Sequence, residues 1–218
     1  MKLDVFFVDA FSSELFSGNP AAVIFSDLND DGLMQKIAAE NNLSETAFIN
    51  IENDVNHIRW FSPTTEVNLC GHATLASAFI YFNYIDTSKT EISFQSASGV
   101  LKVTNASGRY ELDFPKDNFK QVDLIQAVYT ATELKPIETY IGDINMLAIY
   151  ENEEQIKAIE PDFQNLAKLE GQGLIISSPS DDFDFVSRYF CPKYGINEDP
   201  VTGSAHTTLI PYWSNKLN

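Results

Sequence analysis

Cysteine is scarce in this 218-residue chain. Only Cys70 and Cys191 occur, with no Cys-x-x-Cys pair, which excludes a disulfide framework or zinc knuckle and fits free thiols in a reducing compartment. Basic residues are also few: 14 Lys plus Arg face 31 Asp plus Glu, a net charge of −17. Such a surface repels phosphate backbones and anionic headgroups, so neither nucleic acid nor a membrane is an expected partner. No apolar run approaches membrane-spanning length. Asp4 and Asp9 interrupt the apolar stretch after Lys2, so no secretory core forms there and the expected location is cytoplasmic. Gly-x-Gly-x-x-Gly, the phosphate loop and the Gly-x-Ser-x-Gly elbow are all missing, which leaves nucleotide cofactors and serine hydrolysis without support. His57, His72 and His206 show no standard ligand spacing, so no metal is expected.

The residues present are those of an ordinary folded protein: 44% are hydrophobic, and the length suffices for one globular unit or two small domains. Leu3 to Val8 and Ala21 to Phe25 read as strands flanking the Asn19-Pro20 turn. Helical spacing follows from Asp30-Asp31 to Asn41-Asn42. Thr46 to Ile51 and Ile58 to Phe61 are the next strands. Ala73 to Tyr84 is almost wholly apolar or small and too long for a strand, which predicts a buried helix. Strands at Ile92 to Phe94, Gly99 to Thr104 and Tyr110 to Phe114 lead to Pro115, where a boundary is placed. Beyond it the pattern predicts helices near Val122 to Ala131, Glu153 to Ile159, after Pro161, and from Ala205 toward Trp213. Strands are predicted at Met146 to Tyr150, Gly173 to Ser177 and Phe185 to Phe190.

Arg59-Trp60-Phe61-Ser62-Pro63 and Arg188-Tyr189-Phe190-Cys191-Pro192 share one pattern. Each leads through an acid-bearing loop to a glycine and a helix, at Cys70-Gly71-His72 and Thr202-Gly203-Ser204. If the halves are copies of one fold, two helix starts with free N–H groups face a shared cleft and can hold a carboxylate. The alternative is that both glycines only permit tight turns.

Three side chains stand out for chemistry. Glu45 falls between a helix end and a strand start, where a glutamate serves most often as a solvated or capping group. His72 follows Gly71 at a helix start, where the dipole disfavours its cation; capping, packing and proton exchange all stay open. Asp199 precedes Pro200, a common turn pair.

Val8-Asp9-Ala10-Phe11, Gly18-Asn19-Pro20-Ala21-Ala22-Val23, Leu43-Ser44-Glu45-Thr46-Ala47-Phe48, Arg59 to Pro63, Glu66 to Ala76 and Glu198 to His206 occur in the order found in one family. Through these segments the chain resembles the phenazine-biosynthesis-like isomerases, which are similar in fold to diaminopimelate epimerase. The resemblance implies an α+β protein of two pseudo-symmetric domains, 1–115 and 116–218, each a curved, barrel-like sheet around a central helix, with the active site in the cleft between them. It implies that Glu45 shifts a proton between carbons of a small unsaturated carboxylic acid without metal or cofactor, assisted by His72 and Asp199. Asn19, Gly71, Gly203 and Ser204 are then expected around the substrate. Burial in a closed cleft raises a carboxyl's pKa toward the working pH of a general base, and helix-start donors stabilise charge on the substrate.

Epimerases of this fold use two cysteines. Cys70 keeps the first position but Thr202 takes the second, and a hydroxyl is too weak an acid for two-base racemisation. Family members continue past the helix near Trp213, so the second domain is expected to lack its C-terminal strands and to carry unpaired edges. Those edges and the resemblance point to a homodimer. The alternative function is a catalytically silent binding or scaffold relative. The substrate's identity lies beyond the sequence.

Overall fold

A computed structural model describes residues 2–14 and 16–217. The chain divides into two compact units, Met1–Phe114 and Pro115–Asn218.

The first unit opens with β1 (Phe6–Ala10) and β2 (Asn19–Phe25), an antiparallel pair. Gly18 makes their connection possible: its φ is +78°, and a Cβ there would lie 2.2 Å from the carbonyl oxygen of Ala10. α1 (Asp31–Asn41) is capped by the Asp30 carboxylate, which accepts from the Leu33 N–H, and ends at Asn42 in the left-handed region. It carries the chain over to β3 (Glu45–Glu52), parallel to β2. β4 (Val55–Phe61) returns antiparallel through Asn53 and Asp54, both at positive φ as a tight hairpin requires. The two-residue β5 (Glu66–Val67) pairs with β4, and α2 (Gly71–Ile80) follows. β6 (Glu91–Ser96), β7 (Gly99–Ala106) and β8 (Arg109–Asp113) complete a sheet ordered β1-β2-β3-β4-β6-β7-β8, with β5 to one side.

Strand alternation sends Ala21 and Val23, Ala47 and Ile49, and Ile58 and Trp60 to one buried face. α2 packs on β1, β2, β3 and β8, and its Gly71, His72, Ala73, Thr74, Ala76, Ser77 and Ala78 are buried. Small residues let the helix lie close against the curled sheet, and its polar members bond inward: the Ser77 hydroxyl donates to the Ala73 carbonyl at 2.7 Å. The predicted helix to Tyr84 ends as α-helix at Ile80 and continues as one wider turn over Tyr81–Ile85. On the sheet's other face, Met34 and Ala38 of α1 pack with Ile24, Phe48 and Phe61.

The second unit contains β9 (Lys120–Gln121), α3 (Ile125–Thr132), β10 (Glu138–Ile141), β11 (Met146–Ile149), α4 (Glu153–Ala158), α5 (Phe163–Leu166), β12 (Leu174–Ser178), β13 (Val186–Cys191), β14 (Ile196–Asp199) and α6 (His206–Lys216). Its sheet runs β14-β13-β12-β11-β10-β9. Every residue of β11 and β12 is buried. One face carries Met146, Ala148, Leu174, Ile176 and Phe190 against Val128, Ile156 and Leu166 of the three preceding helices. The other carries Leu147, Ile149, Ile175 and Tyr189 against Leu209, Tyr212 and Trp213 of α6. Ile210 and Leu217 are exposed. β9, β10 and β14 were not predicted: β14 is Ile-Asn-Glu-Asp, without the apolar alternation that marks a strand.

The internal repeat is a repeat of topology. β1-β2-α1-β3-β4-β5-α2 and β10-β11-α4-α5-β12-β13-β14-α6 share the same pairing series: antiparallel, parallel across a helical connection, antiparallel, antiparallel, then helix. The same ionic fork closes both. Arg59 clamps Glu66 through Nε and Nη2, each at 2.7 Å, with its guanidinium 5.1 Å from the Phe61 ring centre. Arg188 clamps Glu198 at 2.7 and 2.9 Å and lies 4.8 Å from the Phe190 ring centre. The fork ties a short polar strand to its neighbour just before each glycine-led turn.

Candidate active site

Parallel pairing of β2 with β3 sets Glu45 opposite Ala21, next to Pro20. The chain leaves β5 and enters α2 at Cys70, whose extended backbone (φ −142°, ψ 119°) makes it the N-cap. Gly71 and His72 then form the first turn, both buried. The result is a cluster of three donors: His72 Nε2 lies 3.4 Å from Glu45 Oε2, and His72 Nδ1 lies 3.5 Å from Cys70 Sγ. Their side chains are well enclosed, His72 at 4% exposure and Glu45 at 15%.

Burial pulls the His72 imidazole down to about 4, and the smaller opposing effect is a hydrogen bond to the Pro20 backbone carbonyl. The ring is therefore neutral near pH 7. Its Nε2 has no aligned hydrogen-bond partner among the described residues, so the approach to Glu45 is a close contact without good hydrogen-bond geometry. Asn19, immediately before Pro20, is fully buried at the start of β2.

Of the residues expected around a substrate, Asn19, Glu45, Gly71 and His72 belong to the first unit and Asp199, Gly203 and Ser204 to the second. In the second unit Asp199 closes β14 and accepts a 2.5 Å hydrogen bond from the Thr202 hydroxyl. His206 Nδ1 lies 3.2 Å from the Thr202 carbonyl oxygen. Gly203 and Ser204 form the turn before α6, their carbonyls accepting from the N–H groups of His206 and Thr207, each at 3.1 Å.

Matching the two repeats by the strand register of their arginines shows what each half keeps. Arg59 pairs with Phe48 and Arg188 with Ile176, so the place of Glu45 corresponds to Gly173. A side chain at 173 has no room, because a Cβ would sit 2.6 Å from both the Phe190 carbonyl oxygen and the Tyr189 ring. Only the first unit carries an acid at this position. Cys70 corresponds to Thr202 and His72 to Ser204 by their place around the shared glycine. The sequence reading missed two contacts: the Pro20 carbonyl on His72 and the Thr202 hydroxyl on Asp199. Adjacency in the motifs Asn19-Pro20-Ala21 and Asp199-Pro200-Val201-Thr202 was the available signal for each.

The family profile described as phenazine biosynthesis-like protein matches residues 8–218. The chain belongs to this family. An uncharacterised isomerase of Pseudomonas aeruginosa is 46% identical across the whole chain and 84% of its own length. The human phenazine biosynthesis-like domain-containing protein is 38% identical, covering the whole chain and 85% of its own. Among solved structures, a PhzF-family phenazine biosynthesis protein of Enterococcus faecalis superposes with a TM-score of 0.91 at 45% identity, over all of this chain and 84% of that one. A hydroxyproline epimerase of Agrobacterium vitis, at 7% identity and a TM-score of 0.60 over 98% of this chain and 77% of that one, shares the fold alone. Relatives from two bacterial genera carry the name isomerase, and the chain is an enzyme of that class. No helix among the described residues is long and apolar enough to cross a membrane.

Proposed function

We propose that this protein is a cofactor-independent isomerase that moves a proton between carbons of a small unsaturated carboxylic acid, with Glu45 as the general acid and base. The observation that carries the reading is the enclosed contact between Glu45 Oε2 and His72 Nε2 at the start of α2. A carboxylate that both takes and returns a proton needs a neighbour that does not hold it permanently as an ion pair. The neutral His72 ring meets that need, since it stands beside the Glu45 carboxyl without supplying a full counter-charge.

One acid serving both steps fits the asymmetry of the repeat. A two-base mechanism wants an acid–base group from each half, and the second half has Gly173 and Thr202 where the first has Glu45 and Cys70. Removing a proton from carbon leaves charge that the substrate carboxylate must accept. The backbone N–H groups of the turn at Gly71, with the buried Asn19 side chain, are suited to hold it. His72 assists the transfer beside Glu45, and Asp199, oriented by Thr202, is proposed as a further assisting group.

The test is a panel of small unsaturated carboxylic acids incubated with the enzyme in D2O and followed by mass spectrometry. Deuterium entering carbon in at least one acid, dependent on Glu45, supports the reading. If acids bind without exchange, or exchange persists unchanged in Glu45→Gln, the reading is wrong.

A further inference from the structure

Glu45 and His72 reach their 3.4 Å contact on two different stretches of chain. Glu45 opens β3 just after α1, and His72 follows β5 through Asn68, Leu69 and Cys70. His72 Nε2 has no aligned hydrogen-bond partner among the described residues, so the separation is set by the backbones that deliver the two side chains. We propose that Arg59, on the α1 face of the sheet, is a positioning residue that ties these two stretches together and thereby sets the contact.

All three guanidinium nitrogens of Arg59 are engaged. Nη1 donates to Asp31 Oδ1 at 2.7 Å, at the start of α1, and lies 3.8 Å from the sulfur of Met34, one turn on. Nε and Nη2 hold the two carboxylate oxygens of Glu66 in β5, each at 2.7 Å. Arg59 itself pairs with Phe48 of β3, and Phe61, two residues on, pairs with Glu66. One planar group thus joins the head of the helix that leads to Glu45 with the strand that leads to His72.

β5 meets β4 at two residue pairs, Trp60 with Val67 and Phe61 with Glu66, and so short a strand holds its place poorly by itself. The chain around it is otherwise pinned by single bonds: the Ser62 N–H to the Thr65 carbonyl, Ser98 Oγ to the Asn68 carbonyl and Gln35 Nε2 of α1 to the Ser62 carbonyl, each at 2.8 Å. A bidentate fork fixes direction as well as distance, which a lysine ammonium does not. The Asp31 side chain is 76% exposed and that of Glu66 40%. Ion pairs placed this way add little to stability, so what the fork contributes is geometry. In the second half Arg188 repeats the fork on Glu198, but its remaining nitrogen bonds the carbonyls of Ile156 and Ile159. Of the two forks, the one that reaches a helix acid is in the half that carries Glu45. The catalytic consequence rests on the proposed reaction, whereas the positioning itself does not.

The experiment alkylates the folded wild-type chain, Arg59→Met, Arg59→Lys and Arg188→Met with iodoacetamide and follows Cys70 and Cys191, both buried, by peptide mass spectrometry. Cys70 reports the turn that delivers His72, and Cys191 is the internal reference. Local opening of the turn exposes one thiol, whereas global unfolding exposes both. The Cys70-to-Cys191 rate ratio is expected to rise at least about tenfold in Arg59→Met, less in Arg59→Lys, and not at all in Arg188→Met. On any acid that the wild type turns over, kcat in Arg59→Met falls at least about tenfold while KM stays within about twofold, as misplaced catalytic groups require. An unchanged ratio in folded Arg59→Met, or an equal rise in Arg188→Met, overturns the proposal, as does a wild-type kcat in a variant whose ratio has risen. A wild-type chain that turns over no acid of the panel sinks the proposed reaction alone, and the thiol ratio still decides the role of Arg59. Should Arg59→Met fail to fold, Glu66→Gln takes its place with the same outcomes.

Discussion

Acidification should unfold this protein partly through His72. The ring titrates near 6.5 in an unfolded chain and near 4 in the fold, where desolvation dominates. Between those values the unfolded state binds the proton that the native state refuses. Stability from this group is therefore complete above pH 6.5 and is lost as pH falls toward 4. At 1.36 kcal/mol per pKa unit, the separation corresponds to at most about 3 kcal/mol, a large share of a typical domain's stability. The assay is urea denaturation from pH 7.5 to 4.0 for the wild-type chain and His72→Gln, whose side chain is polar but does not titrate. Other groups titrate in both proteins and cancel in the difference, except those coupled to His72. Repeating the pair in a Glu45→Gln background removes the nearest of them. The expected difference favours His72 most at neutral pH and shrinks steadily below 6.5. Parallel curves would refute the reasoning, since they would mean that the imidazole titrates alike in both states.

Two further outcomes follow from the architecture. Arg188→Met should cost about 2–4 kcal/mol, because Glu198 and the carbonyls of Ile156 and Ile159, bonded at 2.9 and 2.8 Å, lose one shared donor. With the Glu198 side chain 35% exposed, the lower end is expected, and chemical denaturation reads it. Gly18→Ala should cost at least about 1–3 kcal/mol, measured as a lowered denaturation midpoint, because an alanine there holds a positive φ and meets the Ala10 carbonyl.

Much of this structure is legible in the sequence where a single physical cause decides. The acidic helix start at Asp30-Asp31, where Asp30 is the N-cap, and the small buried residues from Ala73 onward each follow from local chemistry. The repeat is legible through Arg59 and Arg188, because each arginine must find an acid and each aromatic-flanked strand must find a partner. What escaped were elements defined by their neighbours. β14 is a strand through its antiparallel pairing with β13, with Glu198 clamped by Arg188, and β10 is mixed in character, with Tyr140 and Tyr212 both bonding Glu138 at 2.5 and 3.1 Å. The site divides in the same way. Glu45, His72 and Asp199 come from family resemblance, whereas the neutrality of His72 and the approach of Cys70 depend on burial and on a strand 25 residues away, which no local pattern encodes.

The most direct test of the central claim is the rate of deuterium incorporation into a turned-over carboxylic acid by wild-type enzyme and by Glu45→Gln in D2O, with folding of the variant checked by circular dichroism. Loss of a general base of this kind removes about 10²–10⁴-fold of rate, so the account predicts incorporation in the wild type and a fall of that size in the folded variant. Incorporation within a few-fold of wild type in Glu45→Gln would contradict it and would place the proton on another group.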